Sequence, residues 1–162
     1  LLNHLGLLWQ TDSIKPAHEH FISNLIYQKI ALNISALPNV ETSNEPVNVL
    51  FLPFGEIHDL GLFFLNYYLK LKGKKTVYLG KSIPFDNLFY VNSQIKNITW
   101  ITYFMIDTTT EEKTMFLNNV EKLVSDNNNT SIIVGNIWDD FSKKNKNKKI
   151  FFKTSLQDLI AN

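Results

Sequence analysis

The sequence predicts an α/β fold: a helical segment, a short linker, then a five-stranded parallel sheet of order 2-1-3-4-5 with helices on both faces. Three observations predict it. From Val47 onward, short apolar runs rich in branched and aromatic residues alternate with segments of helical apolar spacing, the pattern of a parallel sheet with crossover helices. Before Pro38 the apolar residues recur at helical spacing. Between the two lies PNVETSNEP, polar and dense in turn-forming residues, which marks a boundary. The expected divisions are 1–37 as a helical bundle segment, 38–46 as linker, and 47–162 as the sheet domain.

The elements follow in order. Leu1, Leu2, Leu5, Leu7 and Leu8 with Trp9 predict the end of a helix. Thr11-Asp12-Ser13 is a break and a candidate N-cap, and Pro16 suits a first helical turn. Ala17, Phe21 and Leu25, with Ile22, Ile26 and Ile30, form a broad apolar stripe, and the helix is expected to stop near Leu37, before Pro38. Two helices do not close a bundle, so upstream helices or a neighbouring chain are expected to complete it. Val47 to Leu52 is the first strand, buried on both faces. Leu62 to Lys72 is a helix stopped by Gly73. Thr76 to Leu79 is the second strand and Phe85 to Gln94, after Pro84, a short helix. Ile98 to Ile106 is the third strand. Thr109 to Ser125 is a helix with Glu111 and Glu112 in its first turn, where the helix dipole favours acids. Ser131 to Val134 and Lys149 to Lys153 are the last strands, and Ser155 to Ile160 a closing helix. The charge run from Ser142 to Lys149 reads as a solvated loop.

Composition narrows the function. The chain of 162 residues has no cysteine, so disulfide frameworks and thiolate chemistry are excluded. No apolar run reaches the roughly 18 residues of a membrane span. No signal peptide is evident, and a cytoplasmic location is expected. The chain begins with Leu, so it is expected to be part of a longer protein. Net charge is +1 and every one of the 16 basic residues is lysine. That is no nucleic-acid footprint, and it removes the bidentate forks arginine offers to phosphate.

The stretch Pro53-Phe54-Gly55-Glu56-Ile57-His58-Asp59-Leu60-Gly61 falls between the first strand and the first helix of the sheet domain. In an open parallel sheet such a loop lies at the carboxyl end of the strands, where ligands bind. His58 is therefore presented, although a histidine that only caps its own helix is the simpler account of its position. Nucleotide sites fail: no G-x-G-x-x-G follows the first strand, no Walker loop is present, and Pro53 and Phe54 stand where phosphate-cradling glycines are needed. His18 and His20 lie about 200° apart on a helix and do not share a metal. No G-x-S-x-G elbow marks a nucleophile.

Glu56-Ile57-His58-Asp59-Leu60-Gly61 resembles the D/E-x-H-x-x-G signature of cobalamin-binding domains. The resemblance implies a flavodoxin-like, Rossmann-like sheet and makes His58 the lower axial ligand of cobalt. Upstream, Trp9 and Glu19-His20 resemble the W-x9-EH pattern of light-responsive, cobalamin-dependent MerR-type transcription regulators, in which a helical bundle caps the upper face of the cofactor. Together the two patterns imply the sensory part of such a regulator. DNA binding would then lie in an upstream domain, the module would have no catalytic residues of its own, and a homo-oligomer is possible. Glu56, His58, Gly61, Trp9, Glu19, His20 and Gly135 are the implied cofactor-binding residues. The chemistry is compatible, since a neutral imidazole is a good metal ligand and an adjacent acceptor fixes its tautomer.

The sequence also departs from that family. Thr102-Tyr103-Phe104-Met105 is bulky where the family has S-x-L or S-x-V, and Gly135-Asn136 keeps one glycine of two. Tyr103, Phe104 or Met105 is expected to narrow the slot that takes the displaced nucleotide tail of cobalamin. Gln10 stands where a second light-state histidine is found. Three functions stay open: a cobalamin sensor, a cofactor-free dimerisation module of such a regulator, and an enzyme-linked module. The last is either a cobalamin carrier for a methyltransferase or mutase, or an acid–base hydrolase built on His58 and Glu56.

Overall fold

A computed structural model describes residues 15–38, 45–125 and 128–160. The chain divides into two compact units, Leu1–Pro38 and Asn39–Asn162. In the first, helix α1 (Pro16–Ser35) starts from Lys15, with proline in its first turn. The cap is therefore Lys15 rather than Thr11, Asp12 or Ser13, which lie outside the described residues. Of the apolar stripe, Ile30 is buried and Ile22 and Ile26 are half-covered, while Phe21 and Leu25 are exposed. The helix expected to end at Trp9 also lies outside the described residues.

The second unit is the alternating sheet. Its elements are β1 (Val47–Pro53), α2 (Leu60–Leu71), β2 (Thr76–Ile83), α3 (Phe85–Gln94), β3 (Ile98–Tyr103), α4 (Thr110–Ser125), β4 (Thr130–Val134), a 3-10 turn (Asn136–Trp138), α5 (Asp139–Lys144), β5 (Ile150–Lys153) and α6 (Gln157–Ile160). The five strands form one sheet of order β2-β1-β3-β4-β5, all pairs parallel. β1 is an interior strand, between β2 and β3, and its side chains alternate between two cores. Val47, Val49 and Phe51 join Ile98, Trp100, Ile133 and the buried faces of α3 and α4, with Phe116, Val120 and Leu123. Leu50 and Leu52 join Ile101, the α2 residues Leu62 and Leu65, and the partly buried Leu156, Leu159 and Ile160 near the end of the described chain. A parallel strand covered on both faces needs such an unbroken apolar run.

Local chemistry sets the element ends. α2 stops where Gly73 takes a positive φ of 70°. There Gly73 and Lys74 donate their amides to Lys70 and Leu69, a helix end that glycine reaches without a Cβ clash. β2 runs on past Leu79 to Ile83, through two register irregularities against β1; Gly80 and Ser82 have positive φ there. β3 ends at Tyr103 rather than Ile106, because the amides of Met105 and Ile106 leave the ladder for a carboxylate. Part of the Ser142–Lys149 charge run is helical, since α5 reaches Lys144 with Asp139 and Asp140 at its start and two lysines at its end, charges that suit the dipole.

Candidate functional site

β1 delivers the loop 54–59 to the carboxyl edge of the sheet, between its neighbours β2 and β3. Glu56 organises it. The side chain is only 6% exposed, and both carboxylate oxygens are saturated. Oε1 accepts from the amides of Ile57 (2.9 Å) and His58 (3.0 Å) and from His58 Nδ1 (2.7 Å). Oε2 accepts from the amides of Met105 (3.1 Å) and Ile106 (3.3 Å), beyond the end of β3. Burial pushes the Glu56 carboxyl up, but the hydrogen bonds from His58, Met105 and Ile106 outweigh it and hold the group below its ordinary value. One buried carboxylate thus joins two loops. β2 adds a third tie: Ser82 Oγ accepts from the Gly55 amide at 3.1 Å and the Ser82 amide donates to the Glu56 carbonyl.

This arrangement fixes the imidazole of His58. With Glu56 ionised, Nδ1 carries the proton and donates it, so Nε2 is the unprotonated nitrogen of the neutral ring. Nε2 has no partner among the described residues, and the side chain is 47% exposed. The two loops that meet at Glu56 also carry Phe54, Ile57, Met105 and Ile106, each more than half exposed. Three of these four donate their amides to the same carboxylate that holds His58. The result is a presented imidazole nitrogen on two loops that carry an apolar collar of four exposed side chains. Asp59, next in the chain, is buried and accepts from Tyr78 Oη at 2.8 Å, so its side chain braces β2 rather than capping α2.

Gly61 sits in the first turn of α2, where a Cβ would stand 2.8 Å from Leu156 Cδ1 and 3.6 Å from Tyr103 Cε1. Of the three bulky residues singled out at the end of β3, Tyr103 is the one on this side of the sheet: it packs against the cluster of Leu50, Leu62 and Ile101, and its hydroxyl donates to Met105 Sδ. Burial, with the charge of Glu56 adding to it, raises the phenol above its ordinary value. Phe104 faces the other core, edge-on to Phe116 and Trp138, and Met105 is exposed.

Gly135 follows β4. Its φ is 142°, and a Cβ there would lie 3.0 Å from the Phe104 carbonyl, so it lets the chain cross closely behind β3. Glu19 and His20 belong to α1; Glu19 accepts from Ser23 Oγ at 2.7 Å, with His20 Nδ1 3.6 Å from its other oxygen. Trp9 and Gln10 lie outside the described residues. No group of three or more metal-ligating side chains occurs among the described residues, and no helix described is long and apolar enough to cross a membrane. The residues that sequence reasoning missed are Met105 and Ile106 as amide donors and Ser82 as the brace of Gly55. Main-chain donors carry no side-chain signal, and Ser82 is a common loop residue.

No protein-family model matches the chain, and no curated protein matches it. Solved structures do. A monomethylamine corrinoid protein of Methanosarcina barkeri superposes with a TM-score of 0.66 at 12% identity, over 96% of this chain and 73% of that one. The methanol:cobalamin methyltransferase complex MtaBC of Methanosarcina barkeri gives 0.57 at 17% identity, over 95% of this chain and 59% of the matched one. These likenesses establish a shared fold, the five-stranded parallel α/β domain.

Proposed function

We propose that this chain is a corrinoid-binding module in which His58 Nε2 is the lower ligand of the metal. The observation that supports it best is the Glu56–His58 pair inside its apolar collar. A buried, ionised acceptor fixes the tautomer and raises the basicity of a metal-binding imidazole, and Phe54, Ile57, Met105 and Ile106 offer apolar surface to a flat ring system. Corrinoid and cobalamin proteins among the structures that share this fold add to the case. The residues present fit the axial-ligand part of the group. A bound corrinoid would supply a metal able to carry an alkyl group. His58 would hold the metal and Glu56 would hold His58, and we assign the module no reaction of its own.

As its setting we propose the sensory part of a MerR-type regulator, a reading that rests on the Trp9…Glu19-His20 pattern. The carrier reading, a module that serves a methyltransferase, draws equal support from the two solved structures. Binding is tested by incubating the protein with aquahydroxocobinamide, and separately with adenosylcobalamin, and reading visible absorbance after desalting. Retention of at least one that is lost in His58→Ala, with an unchanged far-UV spectrum, is expected. Retention of neither refutes the proposal. The settings separate by size-exclusion chromatography of the loaded protein in darkness and after illumination. A light-driven change of oligomeric state favours the sensor, and an unchanged state favours the carrier.

A further inference from the structure

We infer that the site selects corrinoids without a nucleotide tail, such as cobinamide, over cobalamin, and that Leu156 and Tyr103 set this selectivity. The inference rests on the corrinoid role proposed for His58.

In cobalamin a benzimidazole base hangs by a ribose, a phosphate and an aminopropanol from the edge of the ring, on the side of the lower axial position. An imidazole that takes that position displaces the base from the metal, but the tether keeps the base on the protein's side of the ring. The base must therefore find room in the protein close to His58. Gly61, three residues beyond His58, opens the first turn of α2 towards β3. This glycine is where a side-chain-free surface would border such a space, and the space is taken. A single methyl group on Gly61 would stand 2.8 Å from Leu156 Cδ1 and 3.6 Å from the Tyr103 ring. A methyl there needs only a small shift of the leucine end, but a planar bicyclic base with its sugar and phosphate needs both side chains moved out of the gap.

Both plugging side chains are anchored. Tyr103 packs with Leu50, Leu62 and Ile101, and its hydroxyl reaches Met105 Sδ. Leu156 precedes α6, whose Leu159 and Ile160 join the same core, and Tyr68 Oη ties the Ile160 carbonyl to α2 at 3.0 Å. Seating the tail would push both half-buried side chains off the apolar core they pack against and further into water, which is unfavourable. A tail-less corrinoid asks only for His58 and the exposed apolar residues of its two loops, and leaves the plug in place.

The test titrates the protein with aquahydroxocobinamide and with hydroxocobalamin, following visible absorbance, and repeats both with Leu156→Ala and with Tyr103→Ala/Leu156→Ala. Free imidazole titrated with the same two compounds gives the preference due to cobalamin's own base competing for the metal. The wild-type preference for cobinamide is expected to exceed that of imidazole by at least about tenfold. The variants should reduce the excess several-fold by tightening hydroxocobalamin binding. A wild-type preference no larger than that of imidazole overturns the inference and leaves the corrinoid role standing. So does an excess that persists in a variant with wild-type far-UV dichroism. Binding of neither compound removes both. If the double variant does not fold, Leu156→Ala and the wild-type ratio decide.

Discussion

Replacing Glu56 by glutamine tests what holds the two loops together. The carboxylate accepts five hydrogen bonds, three on Oε1 and two on Oε2. A glutamine has one oxygen to accept and an NH2 that only donates. Its best orientation turns the oxygen to Ile57 and His58, which sets the NH2 against the amides of Met105 and Ile106. Two bonds are lost and three are weakened from charged to neutral. At a net of about 1 kcal/mol for each lost bond, with a smaller loss for the others, Glu56→Gln should cost about 2–3 kcal/mol at neutral pH. For a chain of this length that is a fall in Tm of about 5–10 °C. Urea denaturation read by far-UV dichroism gives the number. The pH dependence supplies a second check. The Glu56 carboxyl lies below its ordinary 4.5 in the folded chain, so its ionised form contributes stability that is fully present above that value. The contribution is lost as pH falls through the lower, folded value, and the gap between wild type and Glu56→Gln should close over that descent. A neutral-pH difference under about 0.5 kcal/mol, the scale of an ordinary surface change, would refute the idea that this carboxylate secures the loops.

Other outcomes are accessible to the same denaturation assay. Asn129 is fully buried; its Oδ1 accepts from the Ile98 amide at 2.8 Å, and its Nδ2 donates to Asn92 Oδ1 and the Leu123 carbonyl. Asn129→Ala strands these partners and should cost about 2–4 kcal/mol, whereas a loss under about 1 kcal/mol would mean that water replaces the amide. Thr102 is fully buried and its hydroxyl has no partner among the described residues, so Thr102→Val should leave stability unchanged or raise it by up to about 1 kcal/mol; a clear loss would reveal a hidden partner for the hydroxyl. Gly135→Ala meets a carbonyl and a positive φ, while Gly61→Ala meets the end of a leucine side chain. The first should cost about 2–3 kcal/mol and the second about 1 kcal/mol, and the reverse order would contradict the local geometry.

The sheet was legible because its signal is carried by side chains at short range. Alternation of apolar runs and helical segments gave five strands and their order, and Gly73 gave the end of α2. What the sequence hid is held by main-chain groups. The early end of β3 depends on the Met105 and Ile106 amides turning to a glutamate 49 and 50 residues earlier in the chain. The extension of β2 runs through Gly80, Lys81 and Ser82, where two residues take positive φ and the register against β1 shifts. α5 was masked by its own charges. In the loop after β1, the two-residue spacing of Glu56 and His58 suggested a pair, and the structure joins them at 2.7 Å. The bulk after β3 was legible too, but strand alternation alone does not say which of Tyr103, Phe104 and Met105 turns towards Gly61. That depends on where the strand ends.

The strand order carries a consequence for the newborn chain. β1 leaves the ribosome first among the strands, yet it pairs on one side with β2 and on the other with β3. Until Tyr103 has emerged, one whole edge of the most apolar strand has no partner, and an open apolar edge invites association between chains. The loop that presents His58 waits longer still, since two of the donors that saturate Glu56 come from Met105 and Ile106. A nascent chain that stalls between β1 and β3 therefore exposes a sticky strand and a partly satisfied carboxylate together. Protection from aggregation and completion of the site arrive within the same few residues of synthesis.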